Sequence, residues 1–579
     1  MWTHPENRPS LRHRAAAATV PAAMAIVGMS CRFPGSTGPE AYYRSLIEGA
    51  DLFSPPPRER WAWCGNDRIQ VPRMGVLADI FAFDNTLFRI SPREAETIDP
   101  HQRLMLEEAW LAVENAGYAL EDFRRRTTGV FVAVYNPDFQ FYARAGEWDE
   151  ISRMYLAAGS AHVMVPNRIS YVLDLNGPSE VVDTACSSSL VAVHRAVEAI
   201  RNGECEQAVV GGVSLLLEPS RLVMLQELGL LSLSGCCAPF DRDSRGQVLG
   251  EGVAALVIKQ LDNALADRDT IHAVITGCGV NHQGATSGGL TRPSAAAQAE
   301  LIRKTYRRHG LGPDAVAYIE AHGNGGAGDL SELLAFQHVF DDGIAIGSVK
   351  GNIGFLEAAG GLSQIIKVVM AMKHGVMPAT RSHHSLIEDA DLRPGSTPIL
   401  RENTPLRDIA GNSNQPFSAG IHAYGLGGCN AHVILSQPSA IAAPDMDVLP
   451  ILLSGEDTGE IMRAAERLLE WLRQNPSPSL SDICFTLAAG SPNKQQRAAF
   501  LVASKEDLAD RLASFIGHAR ATDSMSLPRT ERLTEAMDQW LAGGIVAWED
   551  IIPCGHRIAV APAPLRRRRF PLPTVAASK

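Results

Sequence analysis

No apolar run in this sequence approaches the roughly 18–20 residues that cross a bilayer, so no membrane span is expected. Positive charge is not in excess either. Lys and Arg number 53 against 64 Asp and Glu, a formal charge of −11. That balance excludes a general nucleic-acid binder, whose surface must neutralise phosphates. Cysteine is sparse, ten in 579 residues, and none stands in a C-x-x-C pair. The adjacent Cys236 and Cys237 suit neither a zinc knuckle nor an ordinary disulfide, so the thiols read as reduced ones in a cytoplasmic protein. There is no G-x-x-x-x-G-K-[ST] phosphate loop, and the glycine-rich turn at 425–428 lacks the third glycine and helix of a dinucleotide site. His383 and His384 beside Glu388 and Asp389 read as a solvated loop, and no metal is expected. The first twenty residues lack the apolar core of a signal peptide, so residues 1–22 are expected to form a flexible tail.

What the chain does have is length and alternation. At 579 residues it exceeds one compact core, which implies several domains or one large duplicated fold. Apolar residues at 45% and charged residues at 20% are ordinary for a globular protein. From AAMAIVG, which reads as a short strand closed by Gly28, to about residue 440, β-branched runs alternate with helix-period stretches. TGVFVAVY, EQAVVGGVSLLL, GVAALVIKQL, HAVITGCGV and AVAYIEAHG predict strands, whereas LMLEEAWLAVENAG and GGLSQIIKVVMAMKHG predict helices. Such alternation is an α/β architecture with helix-covered sheets. After SQPSAIAAPDMDVLP the texture changes. GEIMRAAERLLEWLRQNP places Met462, Ala465, Leu468, Leu469 and Leu472 on one helical face, and further helical pieces flank a strand at AAFLVAS. The expected organisation is therefore a domain over 23–440, a small α/β subdomain over 446–545, and a Pro/Arg-rich tail over 546–579. Four arginines in APAPLRRRRFPLPT predict a solvated tail lying on an acidic body.

The most informative segment is SEVVDTACSSSLVAVHRAVEAIRNG. Glu180–Thr184 read as a buried strand, and Leu190, Val193, Val197 and Ile200 then recur at helix spacing up to Gly203. Cys186 falls at the turn from strand to helix. Free backbone N–H groups and the helix dipole there favour a thiolate and can hold an oxyanion. The alternative is a small buried apolar residue, the usual fate of a free cysteine. Small serines around it at a helix start favour the reactive reading.

DTACSSSL resembles the active-site motif of β-ketoacyl synthases, specifically the ketosynthase domains of modular polyketide synthases. AIVGMSCRFPG, SPREAETIDPHQRLMLEEAWLAVENAG, PNRISYVLDLNGPS, PFDRDSRGQVLGEGVAALVIK, EAHGNGGAGD, GSVKGNIGFLEAAGG and GLGGCNAHVIL follow in the family's order over roughly 24–438. The resemblance implies a thiolase-like five-layer α/β/α/β/α sandwich of two similar halves, normally a homodimer. It implies an acyl or peptidyl carrier protein as partner, with the phosphopantetheine arm arriving on that carrier and no cofactor tightly bound. Residues 450–579 resemble the linker that follows such domains, although QWLAGGIVAWEDI and the tail resemble the piece found after an acyltransferase domain. With Met1 present and no neighbouring catalytic domain, the chain reads as a discrete enzyme, the alternative being a segment of a multimodular synthase.

The resemblance also assigns roles. Cys186 takes the acyl chain, and His322 is the first of the family's two histidines, able to act as base or donor. The second is missing: Asn352, Ile353, Gly354 and Phe355 stand where members usually read N-I-G-H. Phe355 cannot donate a hydrogen bond to an enolate, and losing one such donor costs about 10²–10³ in rate. Asn324 and Gly326 replace threonines that contact the pantetheine arm, Leu426 replaces a gating phenylalanine, and His422 stands where a small residue is common. Together they imply a remodelled pocket. Lys350, Glu357 and Asn352 are retained as supporting residues, and backbone N–H groups at Cys186 and around Leu426–Gly427 are expected to form the oxyanion hole. The leading expectation is an acyltransferase that loads Cys186 and acts without decarboxylative extension, by cyclising release or by passing the chain on unextended. The alternatives are ordinary decarboxylative condensation, a silent partner subunit and a cysteine hydrolase. A silent partner would be expected to lack Cys186.

Overall fold

The computed structural model describes residues 20–57, 60–61, 69–286, 288–411, 415–439, 446–490, 494–517 and 531–575. Residues 1–19 of the expected N-terminal tail lie outside them. Ten strands fall into two sets of five. The first is β1 (Met24–Phe33), β2 (Thr128–Val134), β3 (Ser179–Val182), β4 (Gln207–Ser214) and β5 (Gly252–Gln260). The second is β6 (Ala273–His282), β7 (Tyr318–Glu320), β8 (Ala345–Gly347), β9 (Ser418–Tyr424) and β10 (Cys429–Ser436). Each set has the same order across the sheet: third, second, fourth, fifth, first. The second strand runs parallel to the third and fourth, and the fifth runs antiparallel to the fourth and first. The chain is thus a duplicated half-fold, invisible as a sequence repeat because topology survives where side chains diverge.

The central strands are buried along their whole length, and successive residues face opposite cores with period two, which sorts the layers. Met24 and Ile26 of β1 join Phe131, Leu256, Ala419 and Val433 in a core shared by both sheets. Helices α2 (Ser188–Arg201) and α5 (Gly360–His374) lie in it, contributing Leu190, Val193, Ile366 and Val369. Ala25 and Val27 point the other way, to Met105, Ala109 and Ala112 of α1 (Pro100–Asn115). On the outer face of the second sheet, Ile319 and Ile434 meet Ile302 and Tyr306 of α3 (Ala295–Arg308) and Leu333 and Phe336 of α4 (Asp329–Val339). The result is the α/β/α/β/α sandwich of the thiolase-like fold. Hydrogen bonding does not separate its two sheets completely, because Met24–Ile26 of β1 also pair antiparallel with β6.

Two strand readings need correction. Gly28 does not close β1; the strand runs on to Phe33 with a register shift between Ile26 and Gly28. A Cβ there would lie 2.3 Å from the Ala112 carbonyl oxygen, so glycine is needed for α1 to lie against the strand. Glu180–Thr184 is not a buried strand either: β3 spans Ser179–Val182, is half-buried, and sits at one end of the sheet.

Beyond the second set, β11 (Leu449–Gly455), which the sequence reading left unassigned, pairs with β12 (Gln496–Val502). Helix α6 (Thr458–Gln474) packs Ala465 and Leu468 into a core of their own with Ile451 and Phe485. The Pro/Arg-rich tail is not simply solvated. Arg568–Arg569 pair antiparallel with Ala82–Phe83, Arg567 bonds Glu107 at 2.9 Å, and Phe570 is buried beside Phe83 and the Arg103 guanidinium. A short helix, Trp548–Ile551, also lies where only tail was expected. Truncating a buried phenylalanine costs about 3–5 kcal/mol. Phe570→Ala is therefore expected to lower the melting temperature by several degrees, read by calorimetry, and an unchanged Tm would mean the tail contributes nothing to the body's stability.

Candidate active site

Cys186 is presented by an elbow that its neighbours hold. Ala185 has φ +56°, in the left-handed region that costs a non-glycine residue about 1–3 kcal/mol. The serines resist relaxation. Ser188 Oγ accepts from Thr184 N at 2.8 Å and donates to the Ala185 carbonyl at 2.6 Å. Ser187 Oγ donates to the Thr184 carbonyl at 3.0 Å, and Ser189 Oγ accepts from Gly361 N at 3.0 Å, tying the elbow to α5. A 3₁₀ turn at Ala185–Ser187 then feeds α2. The turn at 425–428 closes on this elbow: a Cβ on Gly425 would sit 2.3 Å from the Thr184 carbonyl oxygen.

The Leu426 backbone N–H reaches the Cys186 sulfur, while the Leu426 side chain is exposed. Gly427 contributes its carbonyl to His282 Nε2 at 2.8 Å. The expected thiolate is not what the environment favours. Burial, and next the Glu357 carboxylate, push the Cys186 thiol up to about 12, against Arg221, the Leu426 N–H and Lys350. Desolvation outweighs the helix start because α2 follows a 3₁₀ turn and the thiol packs into the apolar cluster of Leu222, Leu225, Leu249 and Phe355.

His322 follows the C-terminal end of β7 and is fixed through its backbone. Glu332 of α4 accepts from His322 N at 2.7 Å and from Gly323 N at 2.9 Å, and Lys350 Nζ donates to the His322 carbonyl. Burial, then Lys350 and His422, hold the imidazole well below its ordinary value, so it is neutral. Its ring lies 4.2 Å from the Tyr424 ring and 5.2 Å from that of Phe355, centroid to centroid, the latter at 76°. Phe355 is itself buried, with Lys350 Nζ 5.6 Å from its ring centroid. Among the described residues, the rings in contact with the His322 imidazole are those of Phe355 and Tyr424.

The other expected residues separate. Lys350 acts on the His322 backbone, as above. Glu357, with φ +42°, accepts from Arg221 Nε and Asn136 Nδ2, both at 2.8 Å. Asn352 turns away, donating to the Ala50 carbonyl at 3.2 Å and so bracing a loop. Asn324 is engaged internally: its amide donates to Gln247 Oε1 and its Oδ1 accepts from Gly326 N, each at 2.9 Å. Gly326 leaves room for that contact, since a Cβ would meet Asn324 Oδ1 at 2.8 Å. His422 lies not beside Cys186 but in a buried layer with Phe336 and His432, its Nε2 3.2 Å from Gln298 Oε1. His383 is buried against Asp241 and the Pro239 carbonyl, which corrects the solvated-loop reading.

Sequence reasoning missed Tyr424, Arg221 and Asn136. Tyr424 is next to the GLGG motif and signals itself only as an aromatic, whereas Arg221 and Asn136 come from segments far from any motif. Among the described residues one group, His194, Glu198 and Cys278, has ligand-type atoms within 4.8 Å of one another. Arg201 and Arg308 already bind Glu198 at 3.1 Å, and their charge opposes a metal cation there.

A cysteine on a strand–helix elbow, a backbone N–H at its sulfur and a histidine at a strand end, all on a duplicated thiolase-like sandwich, define an acyl-transferring enzyme class. Residues 22–264 and 272–384 match the family models for the β-ketoacyl synthase N-terminal and C-terminal domains, and 450–512 match "CurL-like, PKS C-terminal". Among curated relatives, "Polyketide synthase PksM" of Bacillus subtilis is 33% identical over 94% of this chain and 14% of its own length. "Hybrid PKS-NRPs synthetase opdA" of Penicillium oxalicum is 36% identical over 86% of this chain and 13% of its own. This chain therefore spans about a seventh of those relatives. The solved ketosynthase from module 6 of the bacillaene synthase of Bacillus subtilis is 31% identical, with a TM-score of 0.79 over 95% of this chain and 100% of that one. The chain belongs to the β-ketoacyl synthase family, as a ketosynthase of the polyketide-synthase type. No described helix is long and apolar enough to cross a membrane.

Proposed function

We propose that this ketosynthase loads an acyl chain onto Cys186 and then acts without decarboxylative extension. The observation that carries the proposal is Phe355, a buried aromatic ring set edge-on against His322 where a second imidazole would steady an enolate. Acylation needs only what is retained. The Cys186 sulfur attacks the carrier thioester carbon, the oxyanion rests on the Cys186 and Leu426 N–H groups, and the pantetheine thiol leaves with the cysteine's proton. Decarboxylating a malonyl unit would create an enolate beside an apolar ring.

The loaded chain then has two fates. It passes on unextended, or it is released by cyclisation: His322 removes an α-proton, the enolate carbon attacks an internal carbonyl, and the resulting alkoxide displaces the Cys186 thiolate as a lactone. A histidine held so far towards neutrality is a weak base, so the second fate needs an α-carbon acidified by flanking carbonyls. In this reading residues 23–440 form the catalytic domain, 446–545 an α/β linker subdomain and 546–579 its tail. Neither fate needs a tightly bound cofactor; an acyl or peptidyl carrier protein brings the pantetheine arm past Leu426, and the site is cytoplasmic.

A second copy of the chain fits the open edge of β3, near which Ile151, Met154 and Tyr171 are exposed, Tyr171 by 87%. An unpaired strand edge beside an apolar patch supports a homodimer. The test of function supplies an acyl-carrier thioester and malonyl carrier protein, and follows carbon dioxide and product mass. Acylated enzyme with no carbon dioxide above background is expected. Brisk malonyl consumption would restore the ordinary condensing role.

A further inference from the structure

Arg221, in the first turn of helix Ser220–Glu227, comes from no motif, yet with Lys350 it is one of the cations whose charge acts on the Cys186 thiol. Its Nε lies 2.8 Å from Glu357 Oε1, its Nη2 bonds the same oxygen, and its Nη1 donates to the Tyr135 hydroxyl at 3.2 Å. The guanidinium carbon stands 4.4 Å from the Tyr135 ring centroid. Its neighbours Leu222 and Leu225 share one apolar cluster with Phe355, against which Cys186 packs. Glu357 is buried and the Arg221 side chain is 16% exposed, and a pair so far withdrawn from water contributes little to stability compared with well-packed apolar side chains. One partner, Glu357, also holds a left-handed backbone conformation, the kind of strain that gathers at functional sites.

The chemistry left over defines a ligand. A guanidinium carries five N–H donors, and three contacts with Glu357 and Tyr135 occupy one on each nitrogen. Among the described residues, no further hydrogen bond is made by Nη1 or Nη2, each of which carries a second N–H on the planar guanidinium. Glu357 already neutralises the charge, so a carboxylate placed here would add an uncompensated negative charge in an apolar surrounding. A neutral carbonyl oxygen, as in a keto or amide group, accepts a hydrogen bond without that penalty.

We propose that Arg221 is a specificity-determining residue that selects acyl chains carrying a keto or amide carbonyl within a few atoms of the thioester bound to Cys186. This rests on the acyl-loading function above. It also gives that function a substrate class: chains in which a second carbonyl acidifies the α-carbon or serves as the internal electrophile.

The test compares acylation of Cys186 by matched pantetheine thioesters, a 3-oxoacyl chain against the saturated chain of equal length, read by intact mass over time. The native protein is expected to favour the 3-oxo chain by about tenfold or more, one charge-assisted hydrogen bond's worth. Arg221→Met is expected to lose that preference, read as the ratio of the two acylation rates so that any change in the reactivity of Cys186 itself cancels. Removing one member of a buried pair can unfold the protein, so the double variant Arg221→Met/Glu357→Gln, which leaves no lone charge, is measured beside it. Arg221→Lys separates charge from fork geometry and is expected to recover less than half of the preference in logarithmic terms. Equal rates for both chains in the native protein, or an unchanged ratio in the folded double variant, would overturn the selection by Arg221 and leave acyl loading standing. Failure of either chain to load the native protein would overturn both.

Discussion

Phe355→His is expected to raise carbon dioxide release from malonyl carrier protein by about 10²-fold or more in the presence of an acylated Cys186. The physical basis is a single donor. An enolate formed in a buried site needs a hydrogen bond where its charge develops, and removing such a donor costs roughly 10²–10³ in rate. The site is otherwise prepared: His322 is pinned through its backbone by Glu332 and Lys350, and the Phe355 ring stands 5.2 Å from it. An imidazole at 355 replaces a ring of similar size, and its backbone bonds to Val248 and Gly250 are independent of the side chain. Single-turnover decarboxylation of radiolabelled malonyl carrier protein measures the effect. A variant that stays folded and acylates normally, yet releases no more carbon dioxide than the native protein, would count against Phe355 as the reason for the proposed lack of extension.

Cys186→Ala is expected to abolish the acyl adduct completely, and the pH profile of the native thiol reports how Cys186 is activated. With its thiol pushed up to about 12, only about one Cys186 in ten thousand is a thiolate at pH 8. Because the thiol form lies below that value and the thiolate above it, alkylation by iodoacetamide is expected to rise about tenfold per pH unit from 7 to 10 with no plateau. Peptide mass separates Cys186 from exposed Cys236. A plateau below pH 9 would show that the helix start holds a thiolate after all. The expected profile has a mechanistic corollary. The resting pair is a neutral thiol and a neutral imidazole, so the proton leaves Cys186 only as the thioester carbon is attacked. A thiol that stays protonated at rest reacts slowly with electrophiles in solution.

Arg221 and Glu357 bear on both results, since their charges act on Cys186 in opposite directions. Glu357 raises the thiol and Arg221 lowers it, so the pair must be varied together if the chain's selectivity is to be separated from the nucleophile's acidity. The Arg221→Met/Glu357→Gln variant serves that purpose as well.

Much of this was legible in the residues. The alternation of β-branched runs with helix-period stretches gave the α/β class, DTACSSSL placed Cys186 on an elbow, and EAHG placed His322 at a strand end, because each is a local pattern written within a few residues. The replacement of an imidazole by Phe355 was equally local. Tertiary structure decided what depends on approach. It set the acidity of Cys186, because desolvation by Leu222, Leu225, Leu249 and Phe355 and the charge of Glu357 come from segments distant in the sequence and overrule the local helix start. It sent Asn352 and His422 to bracing and core positions, because side-chain direction follows from packing and not from motif membership. It carried Gly28 through a strand where local punctuation suggested an end, because α1 needs the space. And it brought Arg221 to the pocket, since nothing in a sequence marks which of its many arginines will be folded against a buried carboxylate.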